Sequence, residues 1–316
     1  MNRMSLPVCL LLIVLGAANV FPGRAQNSAA DGPRSNSPAT TTALNPEKVA
    51  LLKWFPAYRT ASFPTGKSPI GVAFDGANIW VTNQYGSSVT KLRANDGMNL
   101  GTFTTGGGPT GLAFDGANIW IANEFDNSVT ELRASNGSLL GTFAEGQQPW
   151  YLAFDGAYMW VTNSAGASIT KLRATDGKVV GTFADSGGPR GVVFDGTYIW
   201  VSNFNATVSR FKLDGTTAGT FNVGLSPLSM AFDGADVWVA SGDGTVTKLR
   251  ASDGTTLGTF NVGTNANGIA FDGSNLWVSA LPNLVEIRPS DGKALLTLIL
   301  RRVVVLVLPL TERTSG

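Results

Sequence analysis

One short phrase, written six times, constrains this chain more than anything else in it. Phe-Asp-Gly begins at Phe74, Phe114, Phe154, Phe194, Phe232 and Phe271. A tryptophan follows six residues after each phenylalanine, at Trp80, Trp120, Trp160, Trp200, Trp238 and Trp277. Successive copies are 40, 40, 40, 38 and 39 residues apart. A period of that length marks one supersecondary unit repeated, each copy burying its apolar face against its neighbours.

The second copy shows what the unit builds. It runs Pro109-Thr110-Gly111-Leu112-Ala113-Phe114-Asp115-Gly116, then Asn118 to Asn123, Ser128 to Arg133, and Leu140-Gly141-Thr142-Phe143. Each apolar run has strand length, and Asp-Gly, a short polar loop and Asn-Gly separate them as hairpin turns do. No copy carries a 3.6-residue apolar period, which excludes a helical solenoid. Four antiparallel strands per unit, labelled A to D from the axis outward, make one propeller blade. The expectation is an all-β β-propeller of six four-stranded blades over residues 58–300.

Most repeated residues have a structural assignment. Asp75, Asp115, Asp155, Asp195, Asp233 and Asp272 precede glycine in the A–B turn, where a carboxylate bonds the turn backbone. The strand-B tryptophans fill the space between blades. Lys91, Arg93, Lys171, Arg173, Lys248 and Arg250 on strand C read as a solvated edge that discourages further pairing. Asn83, Asn123, Asn163 and Asn203 end strand B and bond their own loops. The other reading makes them, with Glu124, an oxygen set for Ca²⁺.

These motifs resemble the YVTN-type repeats of bacterial surface and secreted propellers, which are kin to NHL repeats. The resemblance rests on Pro-x-Gly-x-Ala-Phe-Asp-Gly, Ile-Trp-Val-Thr-Asn (79–83) and Ser-Val-Thr-Lys-Leu-Arg (88–93), and covers residues 58–300. It implies a propeller and does not specify a function, because such folds host enzymes, binders and scaffolds. The unit is also distantly similar to the virginiamycin B lyases. That family relies on a catalytic histidine and a magnesium site, and this chain contains no histidine. The resemblance therefore does not carry the lyase activity over.

The lack of histidine also excludes Ser-His-Asp and Cys-His catalysis. The single cysteine is Cys9. A metal site here would be all-oxygen, suited to Ca²⁺ or Mg²⁺. Residues 1–25 predict a secretory signal peptide: Arg3, the apolar run Leu6 to Ala18, and a small-residue cleavage site at Gly23-Arg24-Ala25. Without them the chain carries 21 basic and 22 acidic residues. That balance gives no electrostatic reason to bind nucleic acid or an anionic membrane. A secreted, periplasmic or cell-surface protein with no membrane span in its mature chain is expected.

The two ends break the pattern. Residues 26–57 predict a flexible leader with a short helix from Pro46 to Trp54. Thr60 to Gly66 aligns with Leu100 to Gly106, an unattached strand D ahead of the first blade. It competes with Ala294 to Leu298 for the edge of the last blade. Residues 301–316 form an atypical apolar tail where another Phe-Asp-Gly copy would be due. One expectation follows: an altered reading frame or truncation of a seven-bladed parent.

A site is expected where the copies disagree, in the D–A and B–C loops of one face. After the strand-A proline position the copies carry Ile70, Thr110, Trp150, Arg190, Leu228 and Asn267. Trp150-Tyr151 is the sharpest departure, with Gln147 and Gln148 before it and Arg190 one blade on. The B–C loops add Tyr85, Glu124, Phe125, Asp126, Phe204 and Asp243. Candidate ligand-binding residues are Trp150, Tyr151, Arg190, Thr110, Asn267, Glu124, Asp126 and Tyr85. Aromatic faces beside an arginine suit a small molecule, a glycan or a protein. The first functional reading is a non-catalytic binding module. The alternatives are a metal-assisted lyase or lactonase-like hydrolase using Glu124 or Asp126, and a structural cell-surface protein.

Overall fold

The structure, a computed structural model, describes residues 63–299. The expected signal peptide, N-terminal helix and apolar tail lie outside the described residues. Six four-stranded antiparallel sheets follow one another, each in the order A-B-C-D. In blade 1 these are Pro69–Phe74, Asn78–Asn83, Ser88–Arg93 and Asn99–Thr104. Blades 2 to 6 repeat them from Pro109, Pro149, Pro189, Pro227 and Ala266. The last blade closes with its own strand D, Ala294–Ile299, paired to Asn283–Ile287. The competition for that edge is therefore settled in favour of the later segment.

The repeated Asp does more than hold a turn. Its Oδ1 accepts the backbone N–H groups two and three residues on, as at Asp115 with Ala117 (2.8 Å) and Asn118 (2.7 Å). Its Oδ2 accepts the indole Nε1–H of the blade's own tryptophan at 2.7–2.8 Å in all six copies. Asp and Trp recur at a fixed interval of five residues because they are hydrogen-bond partners. The bond leaves the indole free of an unmet buried donor. Both carboxylate oxygens are engaged in protein hydrogen bonds.

The core lies between blades. Trp80 packs with Leu112, Ile119, Ile121, Leu132 and Ala134 of blade 2. Phe103, on strand D of blade 1, packs tilted against Trp80 and lies over Gly137 in the C–D turn of blade 2. A Cβ at Gly137 would fall 2.1 Å from that ring, so the turn requires glycine. The Trp–Phe ring contact recurs at 5.4–5.8 Å between centroids through Trp238–Phe260. Each buried tryptophan removes roughly 200 Å² from water, about 5 kcal/mol at 25 cal/mol per Å².

The strand-C lysines correct the sequence reading. Lys91 and Lys171 are buried, not solvated. Lys91 Nζ sits 5.0 Å from the Trp80 ring centre and donates to Ala134 O at 2.6 Å. Lys171 and Lys248 reach the carbonyls of Leu213 and Pro289 in the same way. The long apolar stem covers the tryptophan while the ammonium caps the next blade's turn. The arginines two residues on are the exposed ones. Arg93, Arg173 and Arg250 form i,i+3 ion pairs with Asp96, Asp176 and Asp253.

Candidate functional site

The face bearing the D–A and B–C loops is held together backbone to backbone. Glu124 N donates to Gly108 O at 2.9 Å, Ser164 N to Gln148 O at 2.9 Å and Phe204 N to Gly188 O at 3.0 Å. The residue before the strand-A proline is left-handed in blades 1 to 5. Gly108 and Gly188 suit that conformation, whereas Gln148 adopts it at φ 53°. Strand A then carries one extra residue relative to strand B. In blade 3 Pro149 faces Asn163 and Leu152 faces Val161; the same offset falls between Pro189 and Val192 in blade 4. A bulge of this kind re-aims the side chains within it. The bulged positions include Thr110, Trp150, Tyr151 and Arg190.

Arg190 is the centre of what this produces. Its guanidinium carbon lies 5.1 Å from the Trp150 ring centre and 4.9 Å from that of Phe204. One ring comes from blade 3 and the other from the B–C loop of blade 4. Its Nε is buried with no hydrogen-bond partner. Among the described residues none of its N–H groups donates to a protein acceptor. Burial lowers its pKa, and the nearby charge of Glu124 partly restores it. Tyr151 lies beside it, and burial pushes the phenol above its ordinary range.

Glu124 faces this group from blade 2. Gln84 Nε2 of blade 1 donates to Glu124 Oε2 at 2.9 Å. Burial raises the Glu124 pKa, while Gln84 and the charge of Arg190 oppose the shift. No ion pair within 4.0 Å joins Glu124 to Arg190 among the described residues. The two charges sense each other without closing on each other. Trp150, Tyr151, Arg190 and Glu124 are thus brought together, with Gln84 and Phe204. Gln84 was missed by sequence reading, although it is the only glutamine following the strand-B asparagines.

Other candidates are placed differently. Thr110 is buried, and its Oγ1 donates to Trp150 O at 2.9 Å. Elsewhere a strand-B hydroxyl makes the comparable link to the next blade, as Thr82 does to Thr110 O and Thr162 to Arg190 O. Blade 2 has Ala122 there, and Thr110 supplies the missing hydroxyl. Asp126 Oδ2 accepts Gly107 N at 2.5 Å and caps its loop, as Asp243 does for Leu225 N. Asn267 is buried at the start of blade 6, two blades round from Arg190. Tyr85 and Phe125 are 67% and 54% exposed, with ring centres 6.3 Å apart, and extend an aromatic rim with Phe204.

The strand-B asparagines tie strand B to strand C. Asn123 Nδ2 donates to Ser128 and Thr130, and Asn163 Nδ2 to Ser168 and Thr170. The Oδ1 atoms of Asn123, Asn163 and Asn203 are buried without a partner, as are Glu145 Oε1 and Asp185 Oδ2. Burial pushes Glu145 up to about 7 and raises Asp185. No group of three Asp or Glu among the described residues is placed to hold a metal ion. No helix among them is long and apolar enough to cross a membrane.

Comparison with known proteins adds the fold. The chain is similar to the hydrazine synthase of Kuenenia stuttgartiensis, with 18% identity and a TM-score of 0.62 over 73% of this chain and 79% of that one. The likeness is one of fold. No family model matches the chain. No curated protein matches it.

Proposed function

We propose that this chain is an exported, non-catalytic binding module of the YVTN-like kind, and that its loop face takes a small carboxylate-bearing ligand. One observation carries the reading. The Arg190 guanidinium lies within about 5 Å of two aromatic ring centres, its buried Nε has no hydrogen-bond partner, and it donates to no side-chain or backbone acceptor among the described residues. A buried donor without a partner is unfavourable by about 1–3 kcal/mol unless something else accepts from it. A carboxylate does so with two parallel N–H···O bonds. Trp150 and Phe204 flank the pair with their ring faces. Glu124, oriented by Gln84, then accepts from a hydroxyl or amino group of the same ligand. Sugar acids and amino acids both carry that pair of groups. The signal peptide pattern supports export.

The test is a thermal-shift and calorimetric screen of hexuronic acids, amino acids and simple dicarboxylates, with Ca²⁺ and Mg²⁺ as separate arms. A ligand at 100 times its Kd stabilises the chain by about 2.7 kcal/mol. Arg190→Ala is expected to abolish the shift, and Glu124→Gln to weaken it for ligands bearing a donor. A carboxylate response that survives Arg190→Ala would sink this reading, as would the absence of any response. A response to metal alone would favour the metal-assisted alternative.

A further inference from the structure

One position on strand C lies opposite the strand-B tryptophan, and in four blades it carries a cation that crosses to the next blade. Lys91, Lys171 and Lys248 place Nζ 4.9–5.0 Å from the ring centres of Trp80, Trp160 and Trp238. Arg210 places its guanidinium carbon 5.2 Å from that of Trp200. Each donates to the C–D turn of the following blade. Lys91 reaches Ala134 O and Ser135 O at 2.6 and 3.1 Å, and Arg210 reaches Ala251 O and Ser252 O at 3.1 and 3.2 Å. The position is a cation seat with an aromatic wall and a carbonyl floor.

Blade 2 puts Glu131 there, opposite Trp120. Glu131 is only 7% exposed. Asn118 Nδ2 donates to its Oε1 at 2.7 Å, and its Oε2 takes no hydrogen bond among the described residues. The matching carbonyls of blade 3 belong to Ala174 and Thr175, and neither accepts a hydrogen bond among the described residues. No cation among those residues lies over the Trp120 ring. A glutamate oxygen ends one bond short of a lysine nitrogen. The point that Nζ fills in blades 1, 3 and 5 therefore falls, in blade 2, between a carboxylate and two carbonyls. Solvent reaches it: Ala174 is half-buried, whereas Ala134 and Ala251, beneath their cations, are 6% and 8% exposed. Burial, and after it the charge of Asp115, raises the Glu131 pKa, as expected where acceptors gather without a donor.

We propose that Glu131 Oε2, Ala174 O and Thr175 O form a binding site for a small monovalent cation, at the seam between blades 2 and 3 beside the Trp120 ring. The class of ion follows from the seat. The lysine copies show that one positive charge of ammonium size is held there by carbonyls and a ring face. One carboxylate balances one charge, and three oxygens fall short of the six to eight that Ca²⁺ takes. Ammonium, K⁺ and Na⁺ belong to this class. Elsewhere a side-chain tether keeps the cation at the seam; here the buried carboxylate does, and the ion joins blade 2 to blade 3. The site lies at the C–D turns, on the face opposite Arg190, and is independent of the ligand proposed there.

The test follows the melting temperature of the full chain at a constant chloride concentration of about 200 mM, while NH₄⁺, K⁺ or Na⁺ replaces tetramethylammonium, an ion too large for the seat and without a hydrogen to donate. The small ions are expected to raise it by about 2 °C or more. NH₄⁺ is also expected to shift the indole N–H signal of Trp120 in a ¹⁵N-labelled chain. Glu131→Gln keeps the bond from Asn118 and is expected to lose both responses. Glu131→Lys restores the cation of the other blades. It is expected to melt higher than the parent in tetramethylammonium and to ignore the added ion. Where Glu131→Lys does not fold, Glu131→Gln decides. Equal melting temperatures in every salt overturn the proposal, as does a response that Glu131→Gln retains. A response confined to Ca²⁺ or Mg²⁺ overturns the monovalent assignment. A melting temperature that follows pH and no cation gives the seat to a proton and overturns it too.

Discussion

Two arginines twenty residues apart meet aromatic rings in the same way and come to opposite ends. Arg210, on strand C of blade 4, lies 4.4 Å from Tyr198, 5.2 Å from Trp200 and 5.4 Å from Phe221. Its Nη1 donates to Ala251 O and Ser252 O of the next blade, and its Nη2 to Ala218 O. Only its Nε lacks a partner. Arg190 lies about as close to its rings and donates to no protein acceptor among the described residues. The comparison separates construction from function by hydrogen-bond accounting. Stacking alone does not mark a site; a stacked cation whose donors are left over does. Arg210 Nε apart, the unpartnered buried side-chain atoms among the described residues, on Asn123, Glu145, Asn163, Asp185, Arg190, Asn203 and Ser241, lie toward the loop face.

The comparison is broken most directly by truncating both arginines. Arg210→Ala should destabilise the chain by about 2–4 kcal/mol, because it strips three carbonyls of their donor and opens a gap at a blade interface. Arg190→Ala should change stability by less than about 1 kcal/mol, since no protein hydrogen bond is lost. Urea titrations of the two variants give the contrast. Equal losses would mean that Arg190 is as structural as Arg210.

A smaller effect sharpens the same point at Glu145. The folded chain holds this proton up to about pH 7, whereas an unperturbed glutamate releases it near 4.5. Protons bound only in the folded state mean that stability falls as pH rises through that window. The partly accessible side chain discounts the effect to about 1–3 kcal/mol. Glu145→Gln should remove that slope and leave the variant more stable than the parent above pH 7. Melting temperatures at pH 5 and pH 8 decide it. The smallest effect is expected at Arg93. Its pair with Asp96 is half-exposed on both sides, so Arg93→Ala should cost under about 1 kcal/mol and be salt-dependent. Lys91→Ala, two residues away and buried, should cost several times more.

Much of this was legible without a structure. Six Phe-Asp-Gly copies with a tryptophan six residues on yielded the blade, its strand order and the face where copies diverge. Trp150, Tyr151, Arg190 and Glu124 were readable as departures from the repeat. Sequence reading failed where a residue's role depends on a different blade. Lys91 and Arg93 look alike in Thr-Lys-Leu-Arg, yet one reaches a carbonyl forty-three residues away and the other an aspartate three residues on. Thr110 looked like a variable loop residue and proved to replace the hydroxyl that Ala122 lacks.

The sequence by itself determined what lies within a blade, since hairpin pairing, the Asp–Trp bond and the turn glycines connect residues close along the chain. Only the tertiary structure decided what lies between blades. It set which cations are buried, which carbonyls they satisfy, and that Arg190 meets rings from two blades with its buried Nε unpartnered among the described residues. Those contacts depend on how far one sheet is rotated from the next, and no local pattern encodes that angle.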